Sequence, residues 1–332
     1  MTNTDLPLGY ICLAVYKPNE ELLRVQIESI VRQTESRWHC LVGIDGADPA
    51  TEAVLRAALE ADPRFTILGF EERVGFYRNF ERILAQVPAE APWVTLADQD
   101  DDWRPDKLAL LIPRLQESSL VLGQAHVRRH GANSVGDAPP VVTSRRAVGL
   151  AAMMIDNQVT GSLAVFRGGL LRAALPFPEA CDLAFHDHWL AICATLEDGV
   201  GVVGDVVQDY VQHDANVIGE SAGEGLGERL RRLSAATAQP GWGARLDYIS
   251  KHRWGWRVSM ARTALDRFPL LTNSQARDLG VYASNQFSIR LLLTMTIECL
   301  ARRVPPARSL ALAVGSLRAP SLDRAEARRA VS

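Results

Sequence analysis

The sequence predicts an α/β protein in which a mostly parallel, Rossmann-like sheet is flanked by helices and followed by a helical C-terminal extension. Apolar runs alternate with amphipathic segments through the first 120 residues, and this alternation is typical of β-α repetition. Acidic residues directly follow two of the apolar runs, at Asp45 and at Asp98. The pattern becomes helical after Gly219, which indicates a separate C-terminal region.

Strands are predicted where short apolar runs end in turn residues, and helices where apolar residues recur every three or four positions. The first strand precedes a helix that Asn19 caps. The predicted strands are 10–15, 38–44, 65–70, 93–97, 120–128, 159–166 and 200–207, and the predicted helices are 19–33, 49–61, 75–87, 186–196 and 287–303. Residues 130–146 are expected to form a loop and residues 219–227 a linker. The expected domains are 1–219, with a nucleotide-binding half (1–120) and an acceptor half (121–219), and the extension 220–332.

Composition favours a globular chain with no overall preference for nucleic acid. The 332 residues are 47% hydrophobic and 23% charged, with a net charge of -3. Basic residues are concentrated from Lys251 onward. Such a tail predicts either contact with an anionic surface, such as lipid headgroups, or a solvated helical face. An alternative is a homodimer formed through residues 228–318, which would cover the apolar surface of this region.

The cysteines and the absence of long apolar runs predict a cytoplasmic protein, with peripheral contact at the inner face of the plasma membrane as a further expectation. The five cysteines are scattered and show no metal-ligand spacing, so reduced thiols are expected. The polar first seven residues do not resemble a signal segment. No run of about 18 apolar residues occurs, so no spanning helix is expected.

The segment Asp98–Trp103 is the most informative feature of the sequence. It places four carboxylates in five residues, directly after the apolar run 93–97. Carboxylates this close repel one another unless a cation lies among them. Mg²⁺ or Mn²⁺ carrying substrate phosphates is the natural counter-charge. The alternative is an acidic, solvated turn before the helix that starts near Pro105.

Nine short motifs follow one another in order between residues 9 and 219. They are Val15–Asn19, Ser29–Thr34, Ile44–Gly46, Gly75–Phe80, Asp98–Lys107, Gly161–Ser162, Pro176–Pro178, His186–Leu190 and Tyr210–Asn216. Taken together, they resemble family 2 glycosyltransferases of the GT-A fold, particularly the rhamnosyltransferase-like members. Many members of this family carry a second acid beside Asp45, at the position that Ile44 occupies here. This difference affects the contact with the nucleobase of the donor, and therefore the preference for uracil or thymine.

The resemblance implies a nucleotide-sugar donor and a divalent metal, Mg²⁺ or Mn²⁺. It makes Asp98 and Asp100 metal ligands, with His213 as a third. It also implies a set of donor-binding residues: Tyr16, Asp45, Arg78, Asn79, Asp98 and Gln99. Local sequence leaves other interpretations open, because Asp45 also fits an Asp-Gly turn. Arg78 and Asn79 also fit a solvent-facing helical pair, while Asp102 is expected to cap the next helix.

The resemblance further makes Asp187 the general base, which takes the proton of the acceptor hydroxyl as that oxygen attacks C1 of the sugar. The alternative for Asp187 is an acid at a helix N-terminus. The implied acceptor-side residues are Gly161, Ser162, His186 and Trp189.

The predicted function is therefore a metal-dependent inverting glycosyltransferase of cell-surface polysaccharide synthesis. It would move rhamnose or another hexose onto a glycan or a lipid-linked saccharide. A sugar nucleotidyltransferase is an alternative, but the segment Val15–Asn19 has no glycine with which to hold a triphosphate. A nucleotide-sugar-binding scaffold without turnover is a third possibility, which the joint presence of Asp98, Asp100, Asp187 and His213 disfavours.

Overall fold

The computed structural model describes residues 8–129, 141–179, 184–212 and 242–331. Two compact units divide these residues. The first contains the described residues of Met1–Ala147, Val159–Phe177 and Glu197–Ala222, and the second contains those of Val148–Gln158, Pro178–Leu196 and Gly223–Ser332. The predicted linker at 219–227 lies outside the described residues, and the predicted domain boundary there stays a prediction.

The first unit is built on one sheet of nine strands. Along the sheet the order is β3-β2-β1-β4-β8-β6-β9-β5, with β7 paired to β6. The strands are β1 (Gly9–Val15), β2 (Trp38–Ile44), β3 (Phe65–Leu68), β4 (Trp93–Ala97), β5 (Asp102–Trp103), β6 (Leu120–Arg129), β7 (Val141–Val142), β8 (Ala164–Arg167) and β9 (Val200–Gln212).

The predicted α/β fold is confirmed, and the sheet is mixed, with its longest pairings parallel. Strands β3, β2, β1 and β4 pair in parallel, as do β6 and β9. Strand β8 pairs antiparallel with both β4 and β6, and β5 pairs antiparallel with β9. Helices α1, α2 and α3 (Glu20–Val31, Pro49–Leu59 and Gly75–Leu84) follow β1, β2 and β3. Parallel pairing needs such crossover connections, whereas antiparallel strands can be joined without them.

Local sequence accounts for the first two helices. Asn19 accepts hydrogen bonds from the backbone N–H groups of Glu21 and Leu22 at the start of α1. Asp48 does the same for α2 through the N–H groups of Ala50 and Thr51. These caps satisfy N–H groups that have no partner inside the helix. The buried core of the sheet includes Ile11, Leu13, Leu23, Val42, Val94 and Phe80.

The predicted strand 159–166 is wrong in its first half. Residues Gly161–Leu163 form a 3₁₀ turn, and β8 begins only at Ala164. The turn closes because the N–H of Leu163 donates to the carbonyl of Thr160. The side chain of Lys107 also donates a hydrogen bond to the carbonyl of Ser162. Short helices α4 (Lys107–Leu111) and α6 (Leu171–Ala174) complete the regular helices described in this unit.

The second unit is helical. Its helices are α5 (Leu150–Ile155), α7 (His186–Leu196), α8 (Trp242–Tyr248), α9 (Gly255–Arg267), α10 (Asn273–Ala283), α11 (Ile289–Leu300) and α12 (Pro306–Val331), with a π-helical segment Ile249–Trp254 between α8 and α9. Buried Arg257 donates to the carbonyls of Met154 and Ile155, at 3.1 and 3.2 Å, and so holds the end of α5 against α9. Trp254, Trp256 and Tyr282 fill the core.

Three further expectations can be compared with the structure. Cys12, Cys40 and Cys193 are buried, reduced thiols and Cys299 is a half-buried one, as predicted, while Cys181 lies outside the described residues. Among the described residues, no helix is both long and apolar enough to cross a membrane. Part of the predicted loop 130–146 is described, and there residues 141–142 form β7.

Candidate active site

The carboxyl ends of three parallel strands deliver the predicted donor-side residues to one edge of the sheet. Val15 pairs with Ile44, and Leu13 pairs with Ala97. The residues that follow these strand ends are Tyr16, Asp45 and Asp98. Ligands of parallel α/β sheets bind beyond this edge. The two acidic motifs therefore converge there, as the sequence predicts.

The acidic turn after β4 is held to the end of β1 by Gln99. The side-chain amide of Gln99 accepts from the N–H of Tyr16 at 2.8 Å and donates to the carbonyl of Tyr16 at 3.2 Å. Both polar groups of this amide are therefore engaged with backbone. Asp98 and Asp100 on either side of it are half-buried. A donor-binding role for Gln99 stays a prediction, and its observed contacts are those of a residue that fixes the turn.

A buried polar cluster, formed by Asp101, Lys107, Ser162 and Gln208, lies behind the acidic turn. The amide nitrogen of Gln208 donates to Asp101 Oδ2 at 2.8 Å and to Ser162 Oγ at 3.1 Å. Lys107 Nζ donates to Gln208 Oε1 at 2.8 Å and to the carbonyl of Ser162. It also lies 3.4 Å from the centre of the Trp103 ring. Every member of the cluster is almost inaccessible to solvent, so the cluster joins the acidic turn to β9 and to the turn before β8.

Burial favours the neutral forms of the two ionisable groups in this cluster. Loss of hydration raises the pKa of Asp101 well above its ordinary value, and the charges of Asp98 and Asp100 raise it further. Loss of hydration likewise lowers the pKa of Lys107, which the nearby carboxylates of Asp101 and Asp98 oppose. The influence of Asp98 and Asp100 on Asp101 reflects a concentration of negative charge at the turn, which is the condition that a divalent cation relieves.

The prediction that Asp102 caps the next helix is wrong. Helix α4 begins only at Lys107, and Asp106 stands at its N-cap position without a side-chain capping bond. Asp102 instead lies in β5 and accepts from the Arg32 guanidinium at 3.2 Å. Pairing of β5 with β9 takes up the residues that would otherwise turn into the helix.

Asp45 is buried, and both of its oxygens have donors. Oδ1 accepts from the N–H of Val74 at 2.8 Å, and Oδ2 accepts from the N–H of Gly75 at 2.9 Å. The guanidinium of Arg82 lies 3.1 Å from Oδ1. The carboxylate thus holds the start of α3 against the end of β2, where Gly46 makes the turn at a φ of +99°. Asp45 therefore has a structural role, and its contact with a nucleobase stays a prediction.

Arg78 and Asn79 also have protein partners. Asn79 is buried, donates to the carbonyl of Gly43 at 2.9 Å and accepts from Arg82 Nε at 3.0 Å. Arg78 pairs with Glu81 at 2.5 Å and donates to the carbonyl of Phe177 at 3.4 Å. Asn79 is therefore not solvent-facing, whereas Arg78 is partly exposed. The donor-binding roles of both residues stay predictions.

Sequence reasoning missed Arg73. Its guanidinium lies 4.3 Å from the centre of the Tyr16 ring, and a side chain at Gly46 would come within 3.3 Å of Arg73 Cβ. Arg73 is therefore next to Tyr16 and Asp45 at the same edge of the sheet. The available signal was a basic residue just before the glycine that starts α3. An aromatic ring stacked with a guanidinium is a surface suited to a flat, polar group.

Asp187 lies in the first turn of α7 in the second unit and is oriented by a neighbour. Asn157 Nδ2 donates to Asp187 Oδ1 at 3.1 Å, and the N–H of His188 donates to the same oxygen at 2.6 Å. Asn157 was not predicted, because it lies 30 positions away from Asp187 in the sequence. The base role of Asp187 stays a prediction.

The other predicted acceptor-side residues are mostly engaged within the protein. Ser162 belongs to the buried polar cluster, and Gly161 is buried beside it. Trp189 is completely buried in α7, as expected of a ring that packs in the core. Burial lowers the pKa of His186 to about 3, so its imidazole is neutral at physiological pH. Their acceptor roles stay predictions.

The side chains of the acidic turn fit a divalent cation in part. Asp98 and Asp100 offer two half-buried carboxylates, while His213 lies outside the described residues. Within the described ranges, no group of three or more His, Cys, Asp or Glu residues is placed to hold a metal. Mg²⁺ needs only one or two carboxylates when substrate phosphates and water complete its shell. The two aspartates therefore fit a metal that arrives with a phosphate ligand.

Comparison with known families places the acidic turn within a matched region. Residues 10–153 match the model of the family described as Glycosyl transferase family 2. An uncharacterised protein, y4gI of Sinorhizobium fredii, is 32% identical over 107 residues. That alignment covers 32% of this chain and only 12% of the length of y4gI.

Solved structures share the fold over nearly the whole chain. S. aureus TarS (residues 1–349), in complex with UDP-GlcNAc, superposes with a TM-score of 0.55 at 12% identity, and the match covers 94% of this chain and 90% of TarS. The mannosyltransferase PcManGT of Pyrobaculum calidifontis, in complex with GDP-Man and Mn²⁺, superposes with a TM-score of 0.50 at 16% identity, covering 95% and 87%. The GT-A type of fold that the sequence predicts is thereby confirmed.

Proposed function

We propose that the chain is a metal-dependent, inverting glycosyltransferase that moves a sugar from a nucleoside-diphosphate donor onto a glycan or a lipid-linked saccharide. The observation that carries this proposal is the match of residues 10–153 to Glycosyl transferase family 2. The matched region contains the acidic turn at the carboxyl edge of the sheet, where Asp98 and Asp100 follow β4.

On the donor side, the proposal gives each residue at the sheet edge a task. Asp98 and Asp100 would hold Mg²⁺ or Mn²⁺, which when bound supplies the positive charge that a departing diphosphate requires. Tyr16 and Arg73 would border the base, since their stacked side chains offer a flat surface with a positive charge. Gln99 would keep the turn in register with β1 through its two hydrogen bonds to Tyr16.

On the acceptor side, Asp187 would act as the general base. The acceptor oxygen attacks C1 of the donor sugar, the bond from C1 to the diphosphate oxygen breaks, and the diphosphate leaves with the bonding electrons. The proton of the acceptor hydroxyl passes to the Asp187 carboxylate. Asn157 supports this role because its hydrogen bond to Oδ1 fixes the orientation of the carboxylate.

The sugar and the acceptor are the finer parts of the proposal. TarS and PcManGT were solved with UDP-GlcNAc and GDP-Man, which supports a nucleotide sugar as the donor class. The Mn²⁺ in PcManGT supports a divalent metal. The resemblance of the motifs to rhamnosyltransferase-like enzymes makes rhamnose, or another hexose, the proposed sugar. Synthesis of a cell-surface polysaccharide is the proposed setting.

The experiment that tests this proposal measures donor turnover and donor binding side by side. The parent chain is incubated with Mn²⁺ and a panel of UDP-, GDP- and dTDP-sugars, and release of the nucleoside diphosphate is recorded. We expect at least one donor to turn over, and Asp187→Asn to lose turnover by about 10²- to 10⁴-fold while still binding that donor. Asp266→Asn is the matched control, because Asp266 is an exposed acid on α9 of the same unit.

Two outcomes would contradict the proposal. An inert parent that binds a nucleotide sugar indicates a scaffold without turnover. Turnover that Asp187→Asn leaves unchanged removes Asp187 as the base, even though the glycosyltransferase itself would stand.

A further inference from the structure

Helix α11 is apolar on two opposite sides. Leu291 and Met295 are buried in the second unit, as is Glu298. Five other large aliphatic side chains of the same helix are exposed. These five residues, here called the α11 outer face, are Ile289 (76% exposed), Leu292 (48%), Leu293 (57%), Ile297 (58%) and Leu300 (80%).

The α11 outer face is a stripe interrupted by one polar residue, the exposed Thr296, whose hydroxyl donates to the carbonyl of Leu292. At ~100° per residue, its five residues fall within an arc of about 140°, and the buried Leu291, Met295 and Glu298 lie on the opposite arc. A helix that is apolar all round is normally buried all round. Single exposed aliphatic residues need no explanation, but a contiguous apolar patch marks an interaction surface. Packing on the second unit therefore accounts for only one of the two sides of α11.

The segment around this helix carries mostly positive charge, although Arg308 and Arg318 pair with Asp156 and Asp247 and Arg290 lies near Asp278. Between residues 279 and 322 the chain carries the arginines 290, 302, 303, 308 and 318, and its single acid is Glu298. Glu298 is buried and paired with Arg303 at 3.2 Å, so it contributes little negative charge to the surface. Arg290 is exposed near the start of α11, and Arg302 and Arg303 are exposed just after its end. The apolar stripe thus has exposed arginines at both ends.

We propose that the α11 outer face docks onto the surface of a lipid bilayer that contains anionic headgroups. A helix with an apolar face and flanking basic residues lies in the plane of the interface, with its aliphatic side chains among the acyl chains and its cations at the headgroups. Arginines near an anionic bilayer add attraction that salt screens. Charge complementarity selects this occupant over a second copy of the chain, since a symmetric pairing would bring the same arginines toward each other.

Vesicle flotation of the full chain tests this proposal without any assay of enzyme activity. Vesicles of pure phosphatidylcholine are compared with vesicles that also contain phosphatidylglycerol. We expect the parent to float with the anionic vesicles, and added salt to weaken the association. The double variant Leu293→Ser, Ile297→Ser should lower the partition coefficient at least about tenfold, because two aliphatic side chains no longer enter the bilayer.

The matched control is Leu270→Ser. Leu270 is 94% exposed and lies between α9 and α10, outside the stripe, so its replacement should leave flotation unchanged. Far-UV circular dichroism and the melting temperature verify that both variants are folded, as expected for exposed positions.

Two results would overturn the proposal. In one, the double variant floats as well as the parent. In the other, the parent stays with neither vesicle and runs as a dimer that the double variant dissociates, which assigns the α11 outer face to a second copy of the chain.

Discussion

Replacement of Lys107 by methionine tests the buried polar cluster behind the acidic turn. Methionine keeps the length and apolar character of the lysine stem, so the packing against Trp103 is largely preserved. What is lost is the ammonium group, which donates to Gln208 Oε1 and to the carbonyl of Ser162. The substitution also removes the positive charge that lowers the pKa of Asp101.

The magnitude follows from these contacts. A buried acceptor left without a donor costs about 1–3 kcal/mol, and two acceptors lose theirs. Losing the attraction between Lys107 and Asp101, which opposes the effect of burial on both pKa values, adds to this cost. These penalties overlap because they describe the same groups. The expected loss in free energy of unfolding is therefore about 3–5 kcal/mol.

Urea denaturation followed by far-UV circular dichroism measures this loss for the metal-free protein. The double variant Asp101→Asn, Lys107→Met should recover about 1–2 kcal/mol of it, since asparagine carries no charge and its oxygen still accepts from Gln208. Lys17→Met is the control, because Lys17 is exposed. A loss below about 1 kcal/mol for Lys107→Met, or a double variant less stable than Lys107→Met alone, would refute the reasoning.

Three further predictions rest on other contacts. Asn157→Ala should lower kcat about 10- to 100-fold while donor affinity is unchanged, because a hydrogen bond to a charged group contributes about 1.5–3 kcal/mol; an unchanged kcat in steady-state kinetics would exclude Asn157 as a positioning residue. Burial and the positive charge of Arg257 lower the pKa of His188. Below about pH 6.5 the unfolded chain therefore binds a proton at this histidine and the folded chain does not, so the free energy of unfolding falls by about 1.4 kcal/mol for each unit by which the pH is lowered. His188→Gln should remove this contribution, and urea midpoints between pH 7 and 5 that keep the same slope would contradict it. Gly43→Ala should lower the melting temperature, since its Cβ would lie 2.3 Å from Ile83 Cγ1 and overpacking costs about 1–3 kcal/mol; a thermal melt equal to the parent's would count against this packing.

The first hundred residues show how far local pattern predicts the fold. Strands β2 and β4 have the predicted bounds, Trp38–Ile44 and Trp93–Ala97, because each is a short apolar run bounded by polar residues. The start of α2 is equally clear, since Pro49 follows an acidic cap. From these alone, Asp45 and Asp98 could be assigned to one edge of a sheet.

Beyond that region, tertiary contacts decide the structure. Strand β5 has only two residues and exists because it pairs with β9, about a hundred positions away. The turn at Gly161–Leu163 depends on a lysine from α4. No local pattern contains this information, so the predicted strand at 159–166 started too early and Asp102 was assigned to a cap.

The candidate site divides in the same way. Residue type and motif order suggested Asp98, Asp100 and Asp187. Gln208, which donates to the neighbouring Asp101, and Asn157, which donates to Asp187, were not suggested, since both act across a long stretch of sequence. Asn79 was suggested as well, and its amide is buried and donates from α3 to the carbonyl of Gly43 in β2.

The proposed function depends on a metal-assisted donor site at the acidic turn, and metal-dependent donor binding tests this site most directly. Titration calorimetry of the parent with UDP, GDP and dTDP, with and without Mn²⁺, should give binding to at least one nucleotide that Mn²⁺ strengthens. Asp100→Asn should abolish the strengthening, while Asp106→Asn, an exposed acid of the same motif, should keep it. Equal Mn²⁺ dependence in Asp100→Asn and the parent, or no response of the parent to Mn²⁺ with any of the three, would contradict the account.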